Sequence, residues 1–152
     1  MAIFDVPGDY LNANIPEDKF LLLKLEDEFL DIMREVNPEL IKDVQQEGKK
    51  KVLYLSVLKS LYRCINSALL WYNLYKDTTE KEGFVLNPYD KCTANKVING
   101  KQCTIQWYVG NNKVKHVSEY VITGVIDITK KCFRELVVSC RKKHTFLVME
   151  IN

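Results

Sequence analysis

Residues 92–117 constrain the fold of this 152-residue chain more than any other stretch. Two apolar-rich runs of strand length, 92–98 and 102–109, are joined by Asn99-Gly100. Asn-Gly is the strongest short-range hairpin signal, because both residues accept positive φ. Gly110-Asn111-Asn112 then reads as a second tight turn, and 112–117 as a returning strand. Three successive antiparallel strands form a meander, which needs helices on one face to bury its apolar side.

The rest of the sequence offers those helices. A run starting at Ser67, a candidate cap, and ending at Lys81 carries Ala68, Trp71, Tyr72 and Tyr75 at helical spacing, with Gly83 as a stop. Ser118 is a cap for a second helix with the stripe Val121, Val125, Ile128 and Cys132. A short strand at 3–6 ends at the turn dipeptide Pro7-Gly8. Residues 20–25 are continuously apolar and fit a strand or a short helix. Residues 28–35 fit a helix with Phe29, Ile32, Met33 and Val36 on one face, punctuated by Pro38. Residues 37–50 are polar and charged, with Gly48 inside, and read as a flexible insertion before a strand at 51–57. Strands at 136–139 and 145–151 close the chain around a basic turn. Strand, helix, hairpin, helix, strand is the split βαβ order. It predicts an α+β fold, an antiparallel sheet with two helices on one face, in a single domain over 1–152.

Composition narrows the setting. An apolar fraction of 47% with 28% charged residues suits a globular protein, and no stretch approaches the roughly 20 apolar residues of a membrane span. The opening residues lack the basic region and apolar core of a secretory signal. The five cysteines are odd in number and none forms a CxxC pair, so neither a disulfide framework nor a zinc site is suggested. A reducing, intracellular location is the expectation, not a secreted one. The net charge of +2 is small for a nucleic-acid binder, although Lys49-Lys50-Lys51, Lys130-Lys131 and Arg141-Lys142-Lys143 are clustered. Those runs fit solvated turns and helix ends, or a rim that contacts phosphates.

Four blocks, in order, carry a family resemblance. Phe4-Asp5-Val6-Pro7-Gly8-Asp9-Tyr10-Leu11-Asn12-Ala13 resembles the segment Asp-Val-x-x-Ala-Phe/Tyr-Leu-Asn-Gly/Ala of copia-type retrotransposon reverse transcriptases. Leu58-Lys59-Ser60-Leu61-Tyr62-Arg63-Cys64, followed by Trp71-Tyr72, resembles their Leu-Lys-x-Leu-Tyr-Gly-Leu and Trp-Tyr segment. Tyr108-Val109-Gly110-Asn111 stands where that family has Tyr-Val-Asp-Asp, and Thr145-Phe146-Leu147-Val148-Met149-Glu150-Ile151 resembles its closing strand. The resemblance covers nearly the whole chain. It implies a ferredoxin-like polymerase palm, with fingers, thumb and RNase H regions expected to be absent, and RNA template and DNA primer as partners, with no membrane.

The same resemblance implies a damaged site. Such polymerases join nucleotides with two divalent ions, Mg²⁺ by expectation, about 3.5–4 Å apart and held by three carboxylates. Asp5 matches the first carboxylate; Gly110 and Asn111 occupy the places of the other two. Gly110 brings no ligand and Asn111 a neutral carbonyl, so one negative charge remains of three. Asp9 lies where the family has a small apolar residue and offers no obvious substitute. Arg63, Arg134 and Val148 replace family glycines. Tyr108 and Arg63 are the side chains expected nearest nucleic acid or nucleotide. The expectation is therefore a reverse transcriptase domain, RNA-directed DNA polymerase by descent, without its activity. A non-catalytic nucleic-acid-binding remnant and an inert decayed element are the alternatives. His116 and His144 stand alone, and no Walker, GxSxG or HExxH pattern is present.

Overall fold

A computed structural model describes residues 1–133, 135–139, 144–146 and 149–151. In chain order the elements are β1 (Ala2–Asp5), α1 (Asp9–Asn12), β2 (Leu22–Glu26), α2 (Glu28–Val36), a 3₁₀ helix (Pro38–Asp43), β3 (Gln45–Glu47) and β4 (Lys50–Ser56). Then follow α3 (Ser67–Lys81), β5 (Val85–Leu86), β6 (Thr93–Ile98), β7 (Lys101–Tyr108), β8 (Asn111–Lys115), α4 (Glu119–Phe133), β9 (Val137–Ser139), β10 (His144–Phe146) and β11 (Met149–Ile151). The architecture is mixed α+β with antiparallel sheets. Length alone predicts one domain, but the chain divides into two compact units, 1–13 with 61–152, and 14–60.

The larger unit is built on a six-stranded antiparallel sheet in the order β5-β6-β7-β8-β1-β9. Its centre follows from period-2 patterning. Along β7, Cys103, Ile105 and Trp107 are buried while Lys101, Gln102 and Tyr108 are exposed. The β6–β7 turn is the one Asn-Gly predicts: Asn99 and Gly100 both hold positive φ, 52° and 72°. α3 and α4 bury their apolar residues in one core with the sheet's inward side chains. Four rings form its densest part. Trp71 lies 5.5 Å from Tyr75 and 5.2 Å from Phe133, and Tyr75 lies 5.1 Å from Trp107.

Both helix faces differ from the predicted stripes. In α3 the buried residues are Ser67, Trp71, Tyr75 and Thr79, whereas Ala68 is exposed. Ser67 is the first helical residue, not the cap; its hydroxyl donates to the Leu61 carbonyl at 2.5 Å. Thr79 is tolerated inside because its hydroxyl donates to the Tyr75 carbonyl at 2.8 Å. In α4 the buried set is Val121, Ile122, Val125, Ile126, Thr129 and Phe133. Ile128 is only half-buried, and Cys132, Lys130 and Lys131 are exposed. The helix is rotated toward Phe133 because that ring joins the aromatic cluster. Near the chain end, residues 145–151 do not form one strand. β10 and β11 pair antiparallel with each other. Arg134, Cys140, the basic run 141–143 and Val148 lie outside the described residues.

The smaller unit has a three-stranded antiparallel sheet, β2-β4-β3, carrying α2 and the 3₁₀ helix. The ambiguous apolar run is thus a strand. The segment 37–50, predicted as a flexible insertion, contains the 3₁₀ helix and the start of a β3–β4 hairpin, with Gly48 at positive φ in the turn. α2 forms where its periodicity predicts, but its stripe is not its buried face. Phe29, Ile32 and Val36 are 61%, 54% and 73% exposed, and Leu30 is the residue that packs inward.

Candidate functional site

The site forms where β1 ends beside the β7–β8 turn. β1 pairs with β8 in a register that sets Asp5 opposite Asn111 and Phe4 opposite Asn112. β8 pairs with β7 so that Tyr108 faces Asn111. This gives Val109 and Gly110 as a two-residue turn. The predicted turn, Gly110-Asn111-Asn112, begins one residue too late and ends two too late, because Asn111 and Asn112 are already paired in β8. Asn112 is fully buried, and its amide donates to the Gly110 carbonyl.

The turn is strained at an unusual place. Val109 carries φ 53°, and Gly110 is not in the left-handed region. Positive φ at the first central residue only is the type II′ pattern, which favours glycine at that first position. Here a β-branched residue sits there and the glycine comes second. A left-handed residue with a Cβ costs about 1–2 kcal/mol. Three hydrogen bonds hold it in place. The Trp71 indole N–H donates to the Val109 carbonyl at 2.9 Å, the Val6 amide donates to the Gly110 carbonyl at 3.0 Å, and the Asn112 amide reaches that same oxygen. Backbone strain persists where surroundings over-determine it, and such places cluster at functional sites.

Gly110 is glycine for lack of room. A Cβ there would stand 3.0 Å from the Val6 carbonyl oxygen, 3.1 Å from an Asp5 carboxylate oxygen and 3.2 Å from an Asp9 carboxylate oxygen. The two aspartates therefore face each other across the space of the missing side chain. Burial, and then the charge of Asp9, hold the Asp5 carboxyl above its usual range, against a backbone hydrogen bond from Val6 that lowers it. Asp9, which sequence reasoning set aside, is the site residue it missed. Asp9 is 4% exposed and accepts two hydrogen bonds on one oxygen, from the Tyr10 amide at 2.8 Å and the Tyr62 hydroxyl at 2.5 Å. The bond to Asp9 pushes the Tyr62 phenol up to about 12. Tyr62 and Tyr10 meet edge to face at 4.8 Å between ring centres. The signal available in the sequence was the four-residue spacing of Asp5 and Asp9 across Pro7-Gly8, a turn that can fold one carboxylate back toward the other; Gly8 has φ 62°.

The other predicted residues fare differently. Tyr108 is 60% exposed at the hairpin tip. Arg63 is exposed with φ 69°, and among the described residues it forms no hydrogen bond or ion pair; its neighbour Tyr62 is the side chain that reaches the site. His116 is structural. Its Nδ1 accepts from the Ser118 amide at 3.0 Å, so Nε2 carries the proton and donates to the Ile98 carbonyl at 3.3 Å. Lys50 is not a free phosphate ligand, since it is paired with Glu26 at 2.7 Å and Asp27 at 3.5 Å. Lys49, Lys51, Lys130 and Lys131 are exposed.

These donors do not fit a two-ion centre. Among the described residues no three His, Cys, Asp or Glu side chains gather closely enough to share an ion. Asp9 already spends one oxygen on Tyr10 and Tyr62, and Asn111 brings no charge. Two adjacent divalent ions in such a site would lack compensating charge, so no step of nucleotide transfer is assigned to it. Among the described residues no helix is long and apolar enough to cross a membrane. No family model, curated protein or solved structure matches this chain.

Proposed function

We propose that the chain is a palm-like domain of the copia-type reverse transcriptase family that has lost nucleotide transfer while keeping the frame that once carried it. One observation supports this reading above the others: Asp5 ends a central strand directly opposite Asn111, beneath a strained turn that follows exposed Tyr108. A hairpin serving only as a connection has no need of a left-handed valine pinned by a tryptophan from α3. RNA template and DNA primer are the partners the reading implies, and Mg²⁺ is the ion its ancestor would have used.

Asp9 adds a second strand to the argument. In the family a small residue stands there and carboxylates stand at the hairpin tip. In this chain the carboxylate at 9 fills space next to Gly110. The exchange makes simple reversion insufficient, because Asp at 110 would collide with Asp5, Asp9 and the Val6 carbonyl. The test uses the unaltered chain, Gly110→Asp/Asn111→Asp, and the same pair combined with Asp9→Ala. Isothermal titration with Mg²⁺ and Mn²⁺ should show tighter ion binding in the triple variant alone, abolished by Asp5→Asn. None should extend a primer on an RNA template, because a metal site alone does not align primer and nucleotide, and such positioning is worth roughly 7–11 kcal/mol. Extension by the unaltered chain, abolished by Asp5→Asn, would overturn the inactive reading.

A non-catalytic nucleic-acid binder is the second reading, favoured by exposed Lys49, Lys51, Lys130 and Lys131. RNA affinity that falls with the logarithm of salt concentration would support it.

A further inference from the structure

The smaller unit contains an open cleft of about 310 Å³ between α2, the 3₁₀ helix and the start of the β3–β4 hairpin. We propose that this cleft binds a small amphiphilic anion, a carboxylate or phosphate monoester head on an aliphatic body of about six to eight carbons, a size within the usual range of ligand pockets. Its location has no part in the Asp5 site, and the inference stands apart from the polymerase reading.

The lining divides by chemistry. Leu30, Ile41 and Val44 supply an aliphatic floor, Leu30 being buried and the other two half-buried. Arg34, Lys51 and Gln45 supply polar groups, and no carboxylate lines the cleft. That absence is unusual for this unit. Lys24 and Lys50 are both held by acids, Lys24 by Glu26 and Glu47 at 2.8 Å each, and Lys50 by Glu26 at 2.7 Å. Lys51 follows Lys50 in β4, so its side chain leaves from the opposite face, away from those acids. Among the described residues Lys51 has no ion-pair partner. Arg34 is bonded to Asp31 through one nitrogen only, at 3.1 Å, which leaves other guanidinium N–H groups free for an oxyanion. Two cations above an aliphatic floor match an anion with an apolar tail. The lining contains no aromatic ring on which a base or other flat ring could stack, which favours an aliphatic body.

The experiment is a methyl-resolved NMR titration of the full chain with octanoate, octyl phosphate, octanol and acetate. Saturable shifts centred on Leu30, Ile41 and Val44 are expected with octanoate or octyl phosphate, and the stronger of the two identifies the head group. Octanol, lacking charge, and acetate, lacking the tail, should each bind about tenfold more weakly. Arg34→Met/Lys51→Met should weaken the preferred anion by about tenfold while the methyl spectrum stays dispersed, since both side chains are exposed. A charge reversal, Lys51→Glu, should weaken it further. Octanol binding as tightly as octanoate, an unaltered affinity in the double variant, or shifts spread over exposed Leu58 and Ile65 instead of the cleft would each overturn the proposal.

Discussion

Arg63 shows how a single residue can carry backbone strain. It holds φ 69°, a region an L side chain enters at a cost of about 1–2 kcal/mol. That backbone conformation is one glycine adopts freely and arginine does not. Arg63→Gly should therefore raise stability, by about 0.5–1 kcal/mol once the greater freedom of glycine in the unfolded chain is deducted. Urea denaturation checks it; a lower midpoint would show that the arginine makes compensating contacts. Gly110→Asp should act in the other direction and cost about 1–3 kcal/mol, because the new Cβ meets the Val6 backbone carbonyl at 3.0 Å. Asp5 yields a pH-dependent case. Burial and Asp9 raise its carboxyl above the ordinary 3.8, so the folded chain holds that proton more tightly than the unfolded chain does. The buried Asp5 carboxylate thus weighs on the fold at neutral pH, and the burden lifts as pH falls through the raised value toward 3.8. Asp5→Asn should melt a few degrees higher than the parent at pH 7, with the advantage gone near pH 3. An advantage that stayed constant from pH 7 to pH 3 would mean that ionisation of the buried Asp5 carboxyl is not its source.

At the scale of elements, existence was legible and orientation was not. The Asn99-Gly100 hairpin, the strands on either side and the two long helices follow from turn chemistry and periodicity alone. The faces of those helices do not, because buried Ser67, Thr79 and Thr129 break the apolar stripes that a reader follows. Each is satisfied by a carbonyl of its own chain segment, Thr129 by Val125 at 2.9 Å, which no hydropathy pattern records. The second turn shows the same limit. Gly-Asn-Asn is good turn chemistry, yet the turn sits at Val109-Gly110 because Trp71 and Val6 bind its carbonyls from elsewhere in the chain. The corrected face of α4 is testable. Ile126→Ala should cost about 2–4 kcal/mol, while Cys132→Ser should cost less than about 0.5 kcal/mol. Equal effects at the two positions would restore the stripe the sequence suggested.

For the molecule as a whole, length concealed the division into two units, since the smaller one is inserted within the larger. The division at 14–60 extends well beyond the polar stretch 37–50 that reads as a flexible insertion. Its physical basis is the composition of the core: every member of the main buried cluster comes from 1–13 or 61–152. The ends of the inserted segment also lie side by side. Asn14 bridges to Lys59, and the Ile15 amide donates to the Leu58 carbonyl at 3.0 Å. Replacing residues 14–60 by a short Gly/Ser linker should therefore leave the larger unit folded, since a flexible link need span only a small gap. Trp71 and Trp107 report on it, as both are 2% exposed and remain in the shortened chain. Near-UV circular dichroism should keep its aromatic bands, and melting should stay cooperative, with a midpoint lower by no more than about 4–8 °C, equivalent to roughly 1 kcal/mol. A shortened chain that keeps helical signal but loses those bands would have lost its specific packing. Residues 14–60 would then be part of what folds the six-stranded sheet, and the larger unit would not stand on its own.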